Sequence, residues 1–63
     1  MPIIQADILE GRTIEQKRDL AKKLTEAVIA ALGVKPEAIR VLIRENKPEH
    51  WARGGVLISD EPK

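Results

Sequence analysis

Cysteine, phenylalanine and tyrosine are absent from this 63-residue chain, and it has one tryptophan and one histidine. Without cysteine the chain can form neither disulfides nor thiolate zinc sites, and a single histidine cannot build a metal site by itself. Modules that bind single-stranded nucleic acid stack bases on several aromatic side chains, whereas Trp51 is the only aromatic residue here. Eleven basic against ten acidic residues leave no basic stripe for a nucleic acid or a membrane surface.

Long apolar runs are also missing. No stretch approaches the ~20 residues that span a bilayer, and no charged leader precedes an apolar segment, so we expect a cytoplasmic protein without membrane or nucleic-acid partners. A chain this short buries only about 60% of the surface of its unfolded form. Small proteins that lack disulfides and metals usually oligomerise. We therefore expect residues 1–63 to form one domain that self-associates.

Two segments of alternating polarity flank one segment of helical period. Residues Ile3–Leu9 and Ile39–Glu45 alternate in polarity, which predicts β-strands. Between them, the apolar side chains of Ile14–Leu32 recur about every 3.6 residues, which predicts an amphipathic helix. A strand, a long helix and a second strand form a right-handed unit with parallel strands. The predicted fold class is α/β, a single β-α-β unit with a parallel two-strand sheet.

Capping and turn signals mark where these elements end. A T-x-x-Q capping box that begins at Thr13 predicts the start of the helix, and Gly33 is the expected left-handed C-cap. Near the end of the chain, Gly54-Gly55 predicts a tight hairpin leading into a short strand at 56–58. The polar residues 59–63 are expected to form a loose tail.

The sheet face that points away from the helix stays half apolar. Ile3, Leu9 and Leu42 lie on it among polar neighbours. The helix covers the other face, whose apolar residues are Ile4, Ala6, Ile8, Ile39, Val41 and Ile43. A two-strand sheet with one helix cannot close a core, so we expect another copy of the chain to cover the open face.

Pro2 and two arginines are candidates for chemistry. Removal of Met1 would give Pro2 a secondary amine, a base and a nucleophile, although a proline can also simply begin a strand. Arg12 precedes the helix, where free N–H groups and the helix dipole favour an anion, and Arg40 begins the second strand. In a parallel unit Pro2 and Arg12 lie about 20 Å apart. A shared site therefore needs a neighbouring chain or a fold-back, and otherwise the arginines are surface charges.

Trp51 is an isolated large aromatic residue in the predicted loop 46–51. It is equally consistent with an anchor in a subunit interface and with the apolar wall of a pocket. The adjacent His50 could act as an acid or a base, but no Asp or Ser is placed to form a triad, and we expect it on the surface.

Several short motifs occur together over nearly the whole chain. They are the opening M-P-I-I-Q, the following I-L-E-G-R-T and E-Q-K, then I-R-V at 39–41, R-E at 44–45, Trp51 and the glycine pair. In this combination the chain resembles the 4-oxalocrotonate tautomerase family. The resemblance implies homohexamers, trimers of dimers, with sites at subunit boundaries, and a reaction that requires no metal or organic cofactor.

The resemblance also implies roles for individual residues. Pro2, freed of Met1, would be the catalytic residue, and Arg12 would bind a substrate carboxylate. Arg40 would reach a neighbouring subunit's site and engage the keto-acid end of the substrate, and Trp51 stands where the family usually has a pocket-lining Phe. The implied activity is an enol–keto tautomerase, an isomerase that catalyses a 1,3-proton shift on a 2-hydroxymuconate-like dienol diacid, as in aromatic catabolism.

Two alternatives stay open at this point. One is a non-catalytic oligomeric scaffold or binding module, in which Trp51 anchors an interface. The other is a promiscuous phenylpyruvate-type tautomerase, which needs only one carboxylate clamp. Relatives that hydrate or dehalogenate haloacrylates carry a second arginine and a water-activating carboxylate where this chain has Leu9 and Arg53, so the resemblance does not favour hydrolytic dehalogenation.

Overall fold

The computed structural model describes residues 1–62 and contains one β-α-β unit. Strand β1 (Ile3–Leu9) leads through helix α1 (Ile14–Leu32) to strand β2 (Arg40–Asn46). The two strands pair in parallel, with Ile3 opposite Arg40 and Leu9 opposite Asn46. The predicted α/β fold is confirmed, and β1 and α1 have the predicted bounds.

Strand β2 begins and ends one residue later than predicted. A short 3₁₀ helix, Pro36–Ala38, precedes the strand, and the N–H of Ile39 donates to the carbonyl oxygen of Pro36 at 3.1 Å. Because this bond closes the turn, Ile39 belongs to the turn, and pairing with β1 starts at Arg40. The polarity pattern alone cannot reveal where such a turn ends.

Both ends of α1 carry the predicted caps. The N–H of Gln16 donates to Thr13 Oγ1 at 3.1 Å, and the N–H of Thr13 donates to Gln16 Oε1 at 3.0 Å. At the other end Gly33 has φ 67°, and its N–H donates to the carbonyl oxygen of Ile29 at 2.8 Å. This left-handed conformation disfavours residues with a Cβ, so the glycine ends the helix.

A small hairpin follows β2. Strands β3 (Ala52–Arg53) and β4 (Val56–Leu57) pair antiparallel. The connecting glycines have φ 61° and 84°, as the favoured two-residue hairpin turn requires. The hairpin is therefore confirmed, and its second strand is one residue shorter than predicted because Ile58 begins a 3₁₀ helix.

Two segments without a predicted element are more regular than expected. A 3₁₀ turn, Pro48–His50, lies within the predicted loop. Where a loose tail was expected, the structure has a 3₁₀ helix over Ile58–Asp60, followed by an ion pair between Glu61 and Arg53 at 2.9 Å. The polar composition of 59–63 gave no sign of this ion pair. Lys63 lies outside the described residues.

The core is thin and lies between α1 and the sheet. Ile39, 8% exposed, is the one buried hydrophobic residue of the described part of the chain. On the open sheet face Ile3 and Leu42 are 58% and 49% exposed, as predicted, whereas Leu9 is half-buried rather than uncovered. Within residues 1–62, no helix has the length and apolar character needed to cross a membrane.

Candidate active site

Pro2 and Arg40 lie side by side at one edge of the sheet. The N–H of Arg40 donates to the carbonyl oxygen of Pro2 at 3.0 Å, and the next residue, Ile3, pairs with Arg40 in the ladder. Pro2 is half-buried, while Met1 before it is 81% exposed. Met1 therefore contributes little to the core, and its loss would uncover an amine at the start of β1.

The side chain of Arg40 is exposed, and within residues 1–62 it donates hydrogen bonds to two backbone carbonyl oxygens. Its guanidinium donates to the carbonyl oxygen of Glu37 at 2.6 Å and, less directly, to that of Ile39 at 3.5 Å. These bonds hold the guanidinium against the 3₁₀ turn that precedes β2, and they do not neutralise its charge. A substrate carboxylate could therefore bind to it bidentately.

Arg12 lies at the opposite edge of the sheet. It follows Gly11, whose φ of 115° is in a region that favours glycine. The arginine lines an open groove of about 340 Å³ whose apolar side chains are Ile8 and Leu20. Since β1 separates Pro2 from this groove, the structure does not bring Pro2 and Arg12 together within one chain, as the strand length predicted.

Arg12 and Arg40 differ from the other arginines in their partners. The chain has five arginines. Three of them form ion pairs with carboxylates, namely Arg18 with Glu15, Arg44 with Asp7 and Arg53 with Glu61. Within residues 1–62, neither Arg12 nor Arg40 has a carboxylate within 4.0 Å. The two candidates are thus the arginines whose charge is available to an anion.

The lysines around the groove are already neutralised. Lys17 Nζ lies 2.6 Å from Glu45 Oε1, and Lys23 Nζ lies 2.8 Å from Asp19 Oδ2. Both lysines line the groove together with Arg12. An anion entering it therefore meets one uncompensated cation, Arg12.

Trp51 and His50 lie at the entrance to the C-terminal hairpin. Trp51 is half-buried directly after the turn Pro48–His50, and its carbonyl oxygen accepts a hydrogen bond from the N–H of Ile58 at 2.7 Å. His50 is exposed, as predicted. In the part of the chain that the structure describes, no cluster of three or more His, Asp or Glu side chains could hold a metal ion.

The chain as a whole is similar to known proteins. A family model described as tautomerase enzyme matches residues 2–61. The chain belongs to the tautomerase family. The 2-hydroxymuconate tautomerase of Bacillus subtilis is 47% identical to this tautomerase over 60 residues, which are 95% of this chain and 97% of the relative.

Solved structures agree with this assignment. The crystal structure of YwhB, a homologue of 4-oxalocrotonate tautomerase, superposes with a TM-score of 0.93 at 44% identity and covers 97% of this chain and 100% of its own. A heterohexameric 4-oxalocrotonate tautomerase from Chloroflexus aurantiacus gives a TM-score of 0.90 at 38% identity, covering 95% and 97%. The resemblance is confirmed, and the protein is an isomerase rather than a non-catalytic scaffold.

The sequence did not reveal which residues support the Arg12 segment in this tautomerase. Lys17 and Glu45 are 28 positions apart, and Asn46 contacts Ile8 from 38 positions away. Contacts between residues so far apart in the sequence leave no periodic pattern in it. The R-E motif at 44–45 was the one sequence feature that includes Glu45. It contributed to the family resemblance but did not indicate a contact with Lys17.

Proposed function

We propose that this tautomerase converts a 2-hydroxymuconate-like dienol diacid into the conjugated ketone, with Pro2 as general base after removal of Met1. The observation that carries the proposal is that Arg12 and Arg40 are the two arginines without a carboxylate partner in residues 1–62. Two free guanidiniums suit a substrate with two carboxylates. The similarity to the 2-hydroxymuconate tautomerase of Bacillus subtilis supports the same substrate class.

The proposed reaction moves one proton from the 2-hydroxyl oxygen to carbon five, which for a dienol is a 1,5-shift across the conjugated system rather than the 1,3-shift of a simple enol. The lone pair of the Pro2 nitrogen takes the proton of the 2-hydroxyl group, and the electrons of that O–H bond form the ketone at carbon two. The double bond between carbons two and three shifts to carbons three and four. The π electrons of the double bond between carbons four and five then take the proton from the Pro2 ammonium at carbon five, which leaves a single bond between these carbons and regenerates the amine. General base catalysis of this kind contributes roughly 10²–10⁴ in rate.

The arginines would orient the diacid and stabilise its charge. Arg40 of a neighbouring subunit is proposed to engage the keto-acid end, where a preplaced guanidinium stabilises the negative charge that develops on oxygen. Arg12 is proposed to bind the distal carboxylate. Trp51 would line the apolar wall of the site. Burial beside it, together with the two positive charges, should lower the pKa of the Pro2 amine and keep it unprotonated.

Such a site requires more than one chain. The seven-residue strand β1 separates Pro2 from Arg12 by about 20 Å, so at least one of these residues must come from a neighbour. The exposed Ile3 and Leu42 support pairing through the open sheet face. We propose a homohexamer, a trimer of dimers, of about 42 kDa, six times the 7.0 kDa chain. The Chloroflexus aurantiacus relative, itself a heterohexamer, supports this size.

The remaining parts of the proposal concern context. We propose that residues 1–63 act as a single domain in the cytoplasm, on a substrate of the type produced in aromatic catabolism. The phenylpyruvate-type tautomerase stays the second candidate, because it needs only one arginine to hold a substrate with one carboxylate.

A spectrophotometric assay tests the proposal. Protein whose loss of Met1 has been confirmed by mass spectrometry is mixed with 2-hydroxymuconate, and ketonisation is followed against the uncatalysed rate. Catalysis well above background is expected, and a rate equal to background would refute it. Comparing 2-hydroxymuconate with phenylenolpyruvate in wild type and Arg12→Ala separates the candidates. A true diacid enzyme loses activity on the diacid alone, whereas a phenylpyruvate-type enzyme is indifferent to the substitution.

A further inference from the structure

The segment that carries Arg12 is anchored on its N-terminal side to the last residue of β2. The N–H of Glu10 donates to the carbonyl oxygen of Asn46 at 2.9 Å. The side-chain amide of Asn46 donates to the carbonyl oxygens of Ile8, at 3.3 Å, and Arg44, at 3.4 Å. Asn46 therefore ties the ends of both strands together immediately before the turn that leads to Arg12.

The C-terminal side of the same segment is anchored to the neighbouring residue of β2. Lys17, in the first turn of α1, forms the 2.6 Å ion pair with Glu45. Its backbone N–H also donates to the carbonyl oxygen of Thr13 at 3.1 Å. The side chains of Lys17 and Glu45 are 26% and 36% exposed, so water screens this pair less than a fully exposed one. The start of the helix is thereby held against β2.

Arg12 itself lies between these two anchors without an ion pair or a side-chain hydrogen bond to any of residues 1–62. Because no such bond holds the guanidinium, the fold fixes the position of Arg12 only through the backbone that carries it. A binding group that is held in place before the substrate arrives loses less conformational entropy on binding.

We infer that Glu45 and Asn46 are positioning residues that hold Arg12 for the distal carboxylate of the substrate. The inference rests on the proposed function, in which Arg12 binds that carboxylate. Each strand β2 would then contribute to two different sites of the assembly, since Arg40 begins it and Glu45 and Asn46 end it. Neither Glu45 nor Asn46 needs to touch the substrate.

Three substitutions test the inference on the Met-free protein. Glu45→Gln and Lys17→Met each break the ion pair but change the charge beside the groove in opposite directions, so a rise in KM that both share reports positioning rather than charge. Asn46→Ala removes the amide that joins the strands. We expect each to raise KM for 2-hydroxymuconate about threefold to tenfold while kcat changes less than about twofold. KM for phenylenolpyruvate, which lacks the distal carboxylate, should stay the same.

Two matched controls separate positioning from a general effect of charge. Arg18→Met and Glu15→Gln break an ion pair in the same helical turn, but that pair does not contact β2 or line the groove beside Arg12. Both controls should leave KM for the diacid unchanged. Circular dichroism and sedimentation establish that each variant is folded and assembled, and if Asn46→Ala does not fold, Glu45→Gln and Lys17→Met carry the test.

Repeating Glu45→Gln in an Arg12→Ala background gives the decisive comparison. If Glu45 acts through Arg12, its substitution has no further effect on KM once Arg12 is gone. An unchanged diacid KM in the single variants, an equal rise for both substrates, or a rise that persists without Arg12 would each overturn the inference. Failure of the proposed function looks different, because Arg12→Ala would then leave the diacid KM unaltered in the wild-type background.

Discussion

The backbone N–H of Arg40 donates to the carbonyl oxygen of Pro2 at 3.0 Å. This bond continues the parallel ladder of β1 and β2 by one step beyond the paired residues. The backbone therefore fixes Pro2 and Arg40 next to each other at one end of the sheet, whereas the exposed Arg40 side chain is proposed to reach the site of a neighbouring subunit. Arg12 has no such relationship to Pro2, and the proposed site is completed only between chains.

Replacing Pro2 by Ala should lower kcat on 2-hydroxymuconate by roughly 10²–10⁴, the range for loss of a general base. A primary amine remains, but it is not the secondary amine of proline. Stopped-flow absorbance measures the rate, and mass spectrometry verifies that Met1 is absent from both proteins. A preparation that retains Met1 serves as the control and should be equally impaired, because its Pro2 nitrogen is an amide. Undiminished turnover by either protein would exclude Pro2 as the base.

Replacing Arg40 by Lys should lower kcat/KM about tenfold to a hundredfold on both the diacid and the monoacid. Lysine keeps the charge but cannot offer two parallel N–H donors to a carboxylate, and a hydrogen bond to a charged group is worth about 1.5–3 kcal/mol. Arg53→Lys is the matched control, because Arg53 is already paired with Glu61. Steady-state kinetics on both substrates check the prediction, which fails if only the diacid is affected.

Replacing Leu42 by Lys should dissociate the assembly. Leu42 is 49% exposed in the single chain, and burying a large aliphatic side chain contributes about 1.5–3 kcal/mol per copy. Analytical ultracentrifugation at low micromolar concentration should show a species near 42 kDa, six times 7.0 kDa, for the wild type. The variant should sediment as a smaller species. Leu32→Lys, at a position 64% exposed at the end of α1, should stay assembled; a stable wild-type monomer would contradict the prediction.

Replacing Thr13 by Ala should destabilise the protein by about 1 kcal/mol per chain, the usual effect of losing an N-cap. The alanine cannot accept the 3.1 Å hydrogen bond from the N–H of Gln16. Urea unfolding at one fixed protein concentration measures the difference, since the stability of an oligomer depends on concentration. Thr13→Ser keeps the accepting hydroxyl and should remain close to the wild type. An equal loss for both variants would point away from the cap.

The Asp19–Lys23 pair should stabilise the fold in a pH-dependent way. A hydrogen bond and the charge of Asp19 raise the pKa of Lys23 above its ordinary value of 10.5. Because the folded state holds the proton more tightly, this stabilisation is complete below 10.5 and is lost as pH rises through the raised pKa. NMR titration of the Lys23 side chain should show its pKa decrease in Asp19→Asn. A pKa unchanged by that substitution would contradict the assignment.

The sequence by itself determined the elements that depend on neighbouring residues. The alternation of Ile3–Leu9 and the helical period of Ile14–Leu32 gave both elements their correct bounds. Thr13 and Gly33 ended the helix where the structure ends it, because a cap acts within a few residues of the chain. The same local reasoning placed Pro2 beside Arg40 and put Arg12 at the far edge, since parallel strands align their like ends.

The tertiary structure alone decided the features that join distant parts of the chain. Glu45 forms an ion pair with Lys17 on the helix, and Glu61 forms one with Arg53 in the hairpin. Each of these arrangements depends on where the backbone brings two groups together, and a period of two or of 3.6 residues carries no information about such a meeting. Which arginines lack a carboxylate partner was decided largely in the same way, because Arg44 pairs with Asp7 across the sheet and Arg53 with Glu61, whereas only the Glu15–Arg18 pair is local to the helix.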